Sequence, residues 1–362
     1  MSVAELPRPT LNEAAFIRQA KQICSDLMEH RPAIYWTDFL LSAAAAWTAL
    51  FVCIFAPLFS VTQIAAFLVA GFLMYRSSVF THELAHMPAT RFRRFRLTWN
   101  LLFGIPLLMP SFLYTDHRVH HMNQTYGTGG DNEYFPFGRR SLSILALSNL
   151  IVLILPLLPL IRFGILGPVS LLHPKVRAWV WGRTSSLGSL SPSYMREPPN
   201  ADECRESRWQ EIACFAVVAG LVAALATGVM SWTTFGIIAA VYIFASFVNN
   251  VRVYAAHHYL STGEPMTFVE QMLDSTTIPV LSGVLWAPLG MRYHAVHHLF
   301  PTMPYHAMGT AHRRLMRQLP QDSPYHQTLV SGLWPAVANL VRTARANRFP
   351  ATPANAMTPA GK

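Results

Sequence analysis

The chain has 362 residues, of which 52% are hydrophobic and only 13% charged, against about 25% charged in a typical soluble protein. Such a composition excludes an ordinary water-soluble enzyme, intrinsic disorder, a collagen and a disulfide scaffold. The net charge of +10 sits in clusters that follow a membrane topology, so nucleic-acid binding is not needed to explain it.

Met1–Lys21 is polar and lacks the apolar core of a signal peptide, and residues 1–37 are expected to form a cytoplasmic N-terminal segment. Residues 39–75 and 212–251 carry no charged side chain. Each window is about twice the roughly 20 residues that one helix needs to cross a bilayer. Each therefore predicts a helical hairpin, with spans over about 39–57, 60–80, 212–230 and 233–254 and turns near Pro57–Thr62 and Met230–Thr234. Three further apolar stretches, Leu97–Thr115, Ser141–Pro174 and Ser275–Met291, are short or interrupted by prolines, which favours re-entrant or interfacial helices over the alternative of a broken span. Residues 174–211 are rich in Ser, Pro and charge and read as a surface segment. The membrane domain is expected over 38–318, followed by a cytoplasmic tail, 319–362, that frays from Ala344. Basic residues flank the windows, as at Arg91, Arg93, Arg94 and Arg96, at Arg139 and Arg140, at Lys175 and Arg177, and at Arg313, Arg314 and Arg317. The hairpin tips carry none, which places both termini and the middle region in the cytoplasm, beside anionic headgroups.

The four cysteines, Cys24, Cys53, Cys204 and Cys214, form no CxxC pair, which removes zinc ribbons and thioredoxin-like sites. The fifteen histidines are the anomaly. His82 and His86 form an HxxxH at the end of the second span, while His117, His120 and His121, and again His294, His297 and His298, form HxxHH. Two HxxHH matches in one chain arise by chance on the order of one time in a thousand. On an α-helix, residues three and four apart share one face, so each cluster is expected to aim its imidazoles in one direction. Three such faces make a cage that suits iron, copper, zinc or nickel, with more ligands than one four-coordinate zinc can use. His257, at the cytoplasmic end of the last span, is a ninth candidate. Asp116, Asn250, Asp131, Glu133 and Asp274 are candidates to hydrogen-bond the outer nitrogens of these rings and fix their tautomers. His30, His173, His306, His312 and His326 fall outside the clusters and read as ordinary polar residues. A common site also requires that Leu97–Thr115 not cross the bilayer, because a crossing would put His82 and His117 on opposite sides.

These histidine patterns, interleaved with two hairpins over about residues 38–318, resemble the membrane fatty-acid desaturase/hydroxylase superfamily. His82-Glu83-Leu84-Ala85-His86, Asp131-Asn132-Glu133-Tyr134 and Arg292-Tyr293-His294-Ala295-Val296-His297-His298-Leu299-Phe300-Pro301 are similar to its bacterial acyl desaturases. The resemblance implies an all-α integral membrane protein of four spans, with a cytoplasmic helical cap around a non-haem di-iron centre. It implies metal ligation by His82, His86, His117, His120, His121, His294, His297 and His298, with His257 resembling an additional ligand. Some relatives carry an Asn four residues before that histidine, where this chain has Val253. The implied reaction is O2-dependent desaturation of a fatty acyl chain at the cytoplasmic face of the membrane, the inner or cell membrane in a bacterium. Hydroxylation, ketolation and decarboxylation to a terminal alkene share the same ligand set. With no fused cytochrome b5 signature (His-Pro-Gly-Gly), electrons are expected from a separate ferredoxin, cytochrome or reductase. His82 to His86 also match HExxH, the pattern of an intramembrane metalloprotease, but that reading leaves both HxxHH clusters unused. A metal transporter would place ionisable residues within the spans, and the hairpins offer none.

Overall fold

The computed structural model describes residues 13–87, 92–187 and 193–346. Arg91, the polar stretch 1–12 and the tail beyond residue 346 lie outside the described residues. In chain order the helices are α1 (Glu13–Cys24), α2 (Pro32–Phe55), α3 (Val61–His86), α4 (Arg93–Trp99), α5 (Leu142–Ile151), α6 (Leu157–Ile161), α7 (Gly167–Ser170), α8 (Pro174–Thr184), α9 (Ala201–Ala226), α10 (Trp232–Ala256), α11 (Phe268–Asp274), α12 (Gly283–Trp286), α13 (His294–Leu299), α14 (Tyr305–Gln318) and α15 (Leu333–Ala346). Short 3-10 and π turns join several of them, and no named strand occurs among the described residues.

Four helices, α2, α3, α9 and α10, are 24 to 26 residues long and apolar enough to cross a bilayer, so the chain is a multi-pass membrane protein. Their outward faces expose Phe51, Phe55, Ile212 and Val222, a belt that water would not tolerate and lipid does. Local chemistry sets where they start. Pro32 occupies the first turn of α2, and the Ser60 and Ser231 side chains cap α3 and α10. Asn200 and Glu203 form a reciprocal capping box at α9. All four helices overrun the uncharged windows. α9 begins at Ala201, eleven residues before Ile212, and α3 continues to His86. Charge marks where the apolar layer ends, whereas the backbone hydrogen-bond ladder continues into the polar region and carries the site.

α3 is the central strut. It packs along α2 and crosses α10 at Gly71, where an added Cβ would lie 2.1 Å from the Phe244 ring. Arg76 on α3 pairs with Asp38 on α2 at 2.6 Å, and the Tyr305 hydroxyl of α14 donates to the same carboxylate at 2.8 Å.

The three interrupted apolar stretches differ in outcome. Leu97–Thr115 runs through α4, a π turn at Asn100–Gly104 and a 3-10 helix, Ser111–His121. The Asn100 side chain clamps Ser111, donating to its Oγ and accepting from its backbone N–H, both at 2.8 Å. The stretch leaves and rejoins the same histidine cluster, since the His82 and His117 rings lie 4.6 Å apart. Residues Leu142–Ile154 and Leu157–Ser170 form a helical pair bent by 56°. Ser275–Met291, expected as an interfacial helix, is for the most part not helical. Ser275–Ile278 is a buried extended strap that exchanges backbone bonds with Ala256, Arg292, Ala295 and Thr328. Only Gly283–Trp286 is an α-helical turn. The strap fixes the end of α10 against the start of α13.

Candidate metal centre

Nine histidines meet where α3, the 3-10 helix, the end of α10 and α13 converge. They divide into two groups, His82, His86, His117, His121 and His297, and His120, His257, His294 and His298. Within each group one ring nitrogen per residue lies within 4.8 Å of all the others. Each HxxHH segment supplies both groups. The geometric reason is the adjacent pair at its end: consecutive residues diverge by about 100° on an α-helix and by about 120° on a 3-10 helix. His120 and His121 therefore point to different groups, as do His297 and His298. A single α-helical face, expected for residues 117–121, is replaced by 3-10 winding.

The inward nitrogens are closely spaced. Nε2 of His121 lies 3.1 Å from that of His117 and 3.0 Å from that of His297. In the other group Nε2 of His294 lies 3.0 Å from His257 and 3.2 Å from His298. The groups abut where the His121 and His298 rings stand 4.4 Å apart.

Three outer nitrogens are held by acceptors. His117 Nδ1 faces Glu133 at 2.5 Å, and His120 Nδ1 faces Asp131 at 2.9 Å. Asp131 is itself fixed by the backbone N–H groups of Gly127, Glu133 and Tyr134. His257 Nδ1 lies 2.9 Å from the Tyr126 hydroxyl, which donates to Asp274 at 2.7 Å. A proton held on each Nδ1 leaves the Nε2 lone pair directed inward.

Both nitrogens of His82, Nε2 of His86 and Nδ1 of His121, His294, His297 and His298 are buried without a hydrogen-bond partner. Each such atom costs about 1–3 kcal/mol, and the inward lone pairs repel one another. A cation between the inward nitrogens turns that repulsion into attraction. Nitrogens about 2.1 Å from a common ion and at right angles would be about 3.0 Å apart, as observed. The donor set thus fits a pair of transition-metal ions. Burial first, then neighbouring positive groups, holds His117, His121, His257, His294, His297 and His298 well below the ordinary histidine pKa. Neutral imidazole is the ligating form. His120 differs: burial lowers its pKa, but Asp131, Glu133 and Asp274 together outweigh burial and raise it. Burial lifts Glu133 to about 7, against the pull of His120 and Tyr114.

Two candidates for holding outer nitrogens bond elsewhere. Asp116 accepts from the Tyr194 hydroxyl, and Asn250 donates to Asn149 and Tyr254. Glu83 is not poised as a hydrolytic base. It accepts from the Tyr35 hydroxyl at 2.6 Å and the Tyr305 backbone N–H at 3.2 Å, and so locks α2 and α14 to the end of α3. His312 faces the Tyr325 hydroxyl, and the His173 ring caps α8 by accepting from Lys175 N–H. Sequence reasoning missed Tyr114, which stacks on His117 at 4.8 Å and donates to Glu133. It also missed Tyr126, whose partner His257 lies 131 residues away, so no local spacing could have revealed it.

A family model for fatty acid desaturases matches residues 59–329. The chain is 36% identical over 341 residues to a protein of Caulobacter vibrioides (strain NA1000 / CB15N) described as a ceramide hydroxylase, covering 93% of this chain and 96% of that protein. No solved structure matches.

Proposed function

The chain belongs to the fatty acid desaturase family and is a membrane oxidoreductase, and from that premise we propose that it is a di-iron, O2-dependent hydroxylase of the acyl part of a ceramide-like membrane lipid. The observation that carries the metal reading is the pair of buried histidine groups, in which inward Nε2 atoms face one another at 3.0 to 3.2 Å. The substrate class and the hydroxylation outcome rest on the hydroxylase relative, whose alignment spans nearly both chains. Desaturation, the outcome anticipated from the motifs, is the second reading, favoured by the family model.

His82, His86, His117, His121 and His297 would hold one iron, and His120, His257, His294 and His298 the other. The chemistry that bound iron supplies is reductive activation of O2 and oxidation of an unactivated C–H bond, which no side chain performs. The chain's own residues prepare that chemistry. Glu133 and Asp131 keep the Nδ1 protons of His117 and His120 outward. Tyr126 passes the Asp274 carboxylate's hold to His257. The tight burial of the cage excludes bulk water. Hydroxylation consumes one O2, two electrons and two protons and returns an alcohol and one water; desaturation consumes the same and returns an alkene and two waters. The electrons come from a separate donor, and the site faces the cytoplasm.

Mass spectrometry of lipids from an expression host of defined lipid content tests the outcome. Products heavier by one oxygen, labelled from heavy-isotope O2, support hydroxylation; products lighter by two hydrogens transfer the assignment to desaturation. Protein made under iron-replete conditions should carry close to two irons per chain, and stoichiometric zinc without iron would overturn the oxygenase reading.

A further inference from the structure

The reading above requires two electrons per turnover from outside the chain, and the inference here rests on it. We propose that the face formed by α15 and the adjoining turn Phe137–Arg139 docks the electron donor, a small one-electron carrier protein with an acidic surface.

A cleft of about 290 Å³ opens between α15 and the body of the molecule. Asn339, Leu340 and Thr343 line its outer side, and His257 and His258 line its floor. The His257 ring belongs to the second histidine group, with its Nε2 3.0 Å from that of His294. Electron transfer weakens steeply with distance, so a donor is well seated at a cleft whose floor is a ring of the cage. A second cleft, of about 270 Å³, is basic, lined by Arg292, His306 and Arg313, but none of its lining residues belongs to either histidine group. Charge alone does not choose between the two faces; access to the cage does.

The exposed charge of α15 and the adjoining turn is of one sign. Arg342 and Arg345 on α15 and Arg139 and Arg140 beside it are exposed, and none takes part in an ion pair among the described residues. The two arginine pairs flank a single contact, because a Cβ at Gly138 would stand 3.3 Å from Thr343 Cγ2. No Asp or Glu follows Asp322 in the sequence, so the C-terminal element is purely basic. α15 also lies beyond the family match, which ends at residue 329. Complementary charge at such a rim raises the association rate and favours an acidic partner. Each encounter oxidises one reduced carrier by one electron, and two encounters supply one turnover.

The test uses the full-length, iron-loaded protein in neutral-lipid nanodiscs, with reduced ferredoxin, an acidic iron–sulfur carrier, as the probe. Arg342→Glu with Arg345→Glu should raise the KM for ferredoxin about tenfold at low salt and weaken its direct binding. The difference should shrink as salt shortens the Debye length to about 10 Å at 0.1 M. Arg313→Glu, in the other basic cleft, should leave the ferredoxin KM unchanged. An unchanged KM and unchanged binding in the double variant, or an equal shift from Arg313→Glu, overturns the proposal. So does weaker binding of anionic vesicles with an unaltered ferredoxin KM, which would assign the face to lipid. Dithionite-driven turnover is measured in parallel. If the wild type turns over with neither reduced ferredoxin nor dithionite, the oxygenase reading falls, while ferredoxin binding still decides the docking face. If the double variant misfolds and loses dithionite turnover as well, Arg139→Gln with Arg140→Gln replaces it, with the same outcomes.

Discussion

A hydrogen bond at the outer nitrogen fixes the direction of a buried imidazole's lone pair, and His257 is held in this way indirectly. Its Nδ1 stands 3.8 Å from the Asp274 carboxylate, too far for a hydrogen bond, and the Tyr126 hydroxyl fills the gap. Tyr126→Phe should therefore lower iron affinity or turnover by about 10–100-fold; iron content and rate equal to wild type would remove Tyr126 from the site. His257→Ala is the sharper case. If the second group holds an iron, the variant loses one iron together with activity, whereas His312→Ala, which removes a ring that packs on Tyr293 and Tyr325 and belongs to neither histidine group, keeps both. Iron analysis alongside turnover decides. At this scale the sequence is most legible where partners are neighbours: the histidines stand three or four residues apart, and Asp131 and Glu133 lie close after His117 and His120. It is least legible where the tertiary fold chooses the partner. Asp116 bonds Tyr194, 78 residues on, and Asn250 bonds Asn149, 101 residues back.

Among the elements, the long helices were legible because lipid demands uninterrupted apolar length, and their true ends were not, because helical hydrogen bonding ignores the water boundary. The winding of Ser111–His121 and the strap Ser275–Ile278 were hidden for another reason. Both are shaped by what they must touch: the Asn100 clamp at one, and the ends of α10 and α13 at the other. The α3–α10 crossing yields a direct prediction. Gly71→Ala forces its Cβ onto the Phe244 ring, an overpacking that typically costs about 1–3 kcal/mol. Thermal unfolding should register the loss, and adding Phe244→Ala should recover part of it. A Gly71→Ala protein as stable as wild type would mean that the crossing is looser than the structure indicates.

For the whole molecule, the shared cage constrains topology. His86 and His117 meet at 4.9 Å, and His120 and His257 at 5.3 Å, so the chain between each pair crosses the bilayer an even number of times. α9 and α10 account for one such pair of crossings, which requires the bent helices of Leu142–Ser170 to enter and leave on one side. Cysteine tags near Arg94, Arg140 and Arg196 should all be reached from the cytoplasm; labelling of Arg94 from outside would break the common site. The interleaving of the two HxxHH segments has a consequence for assembly. Because the 3-10 helix and α13 each feed both histidine groups, the ion that first orders one group also orients rings of the other. Iron uptake should therefore be all-or-none: at sub-stoichiometric iron, native mass spectrometry should find mostly empty and doubly loaded chains, with few carrying a single ion.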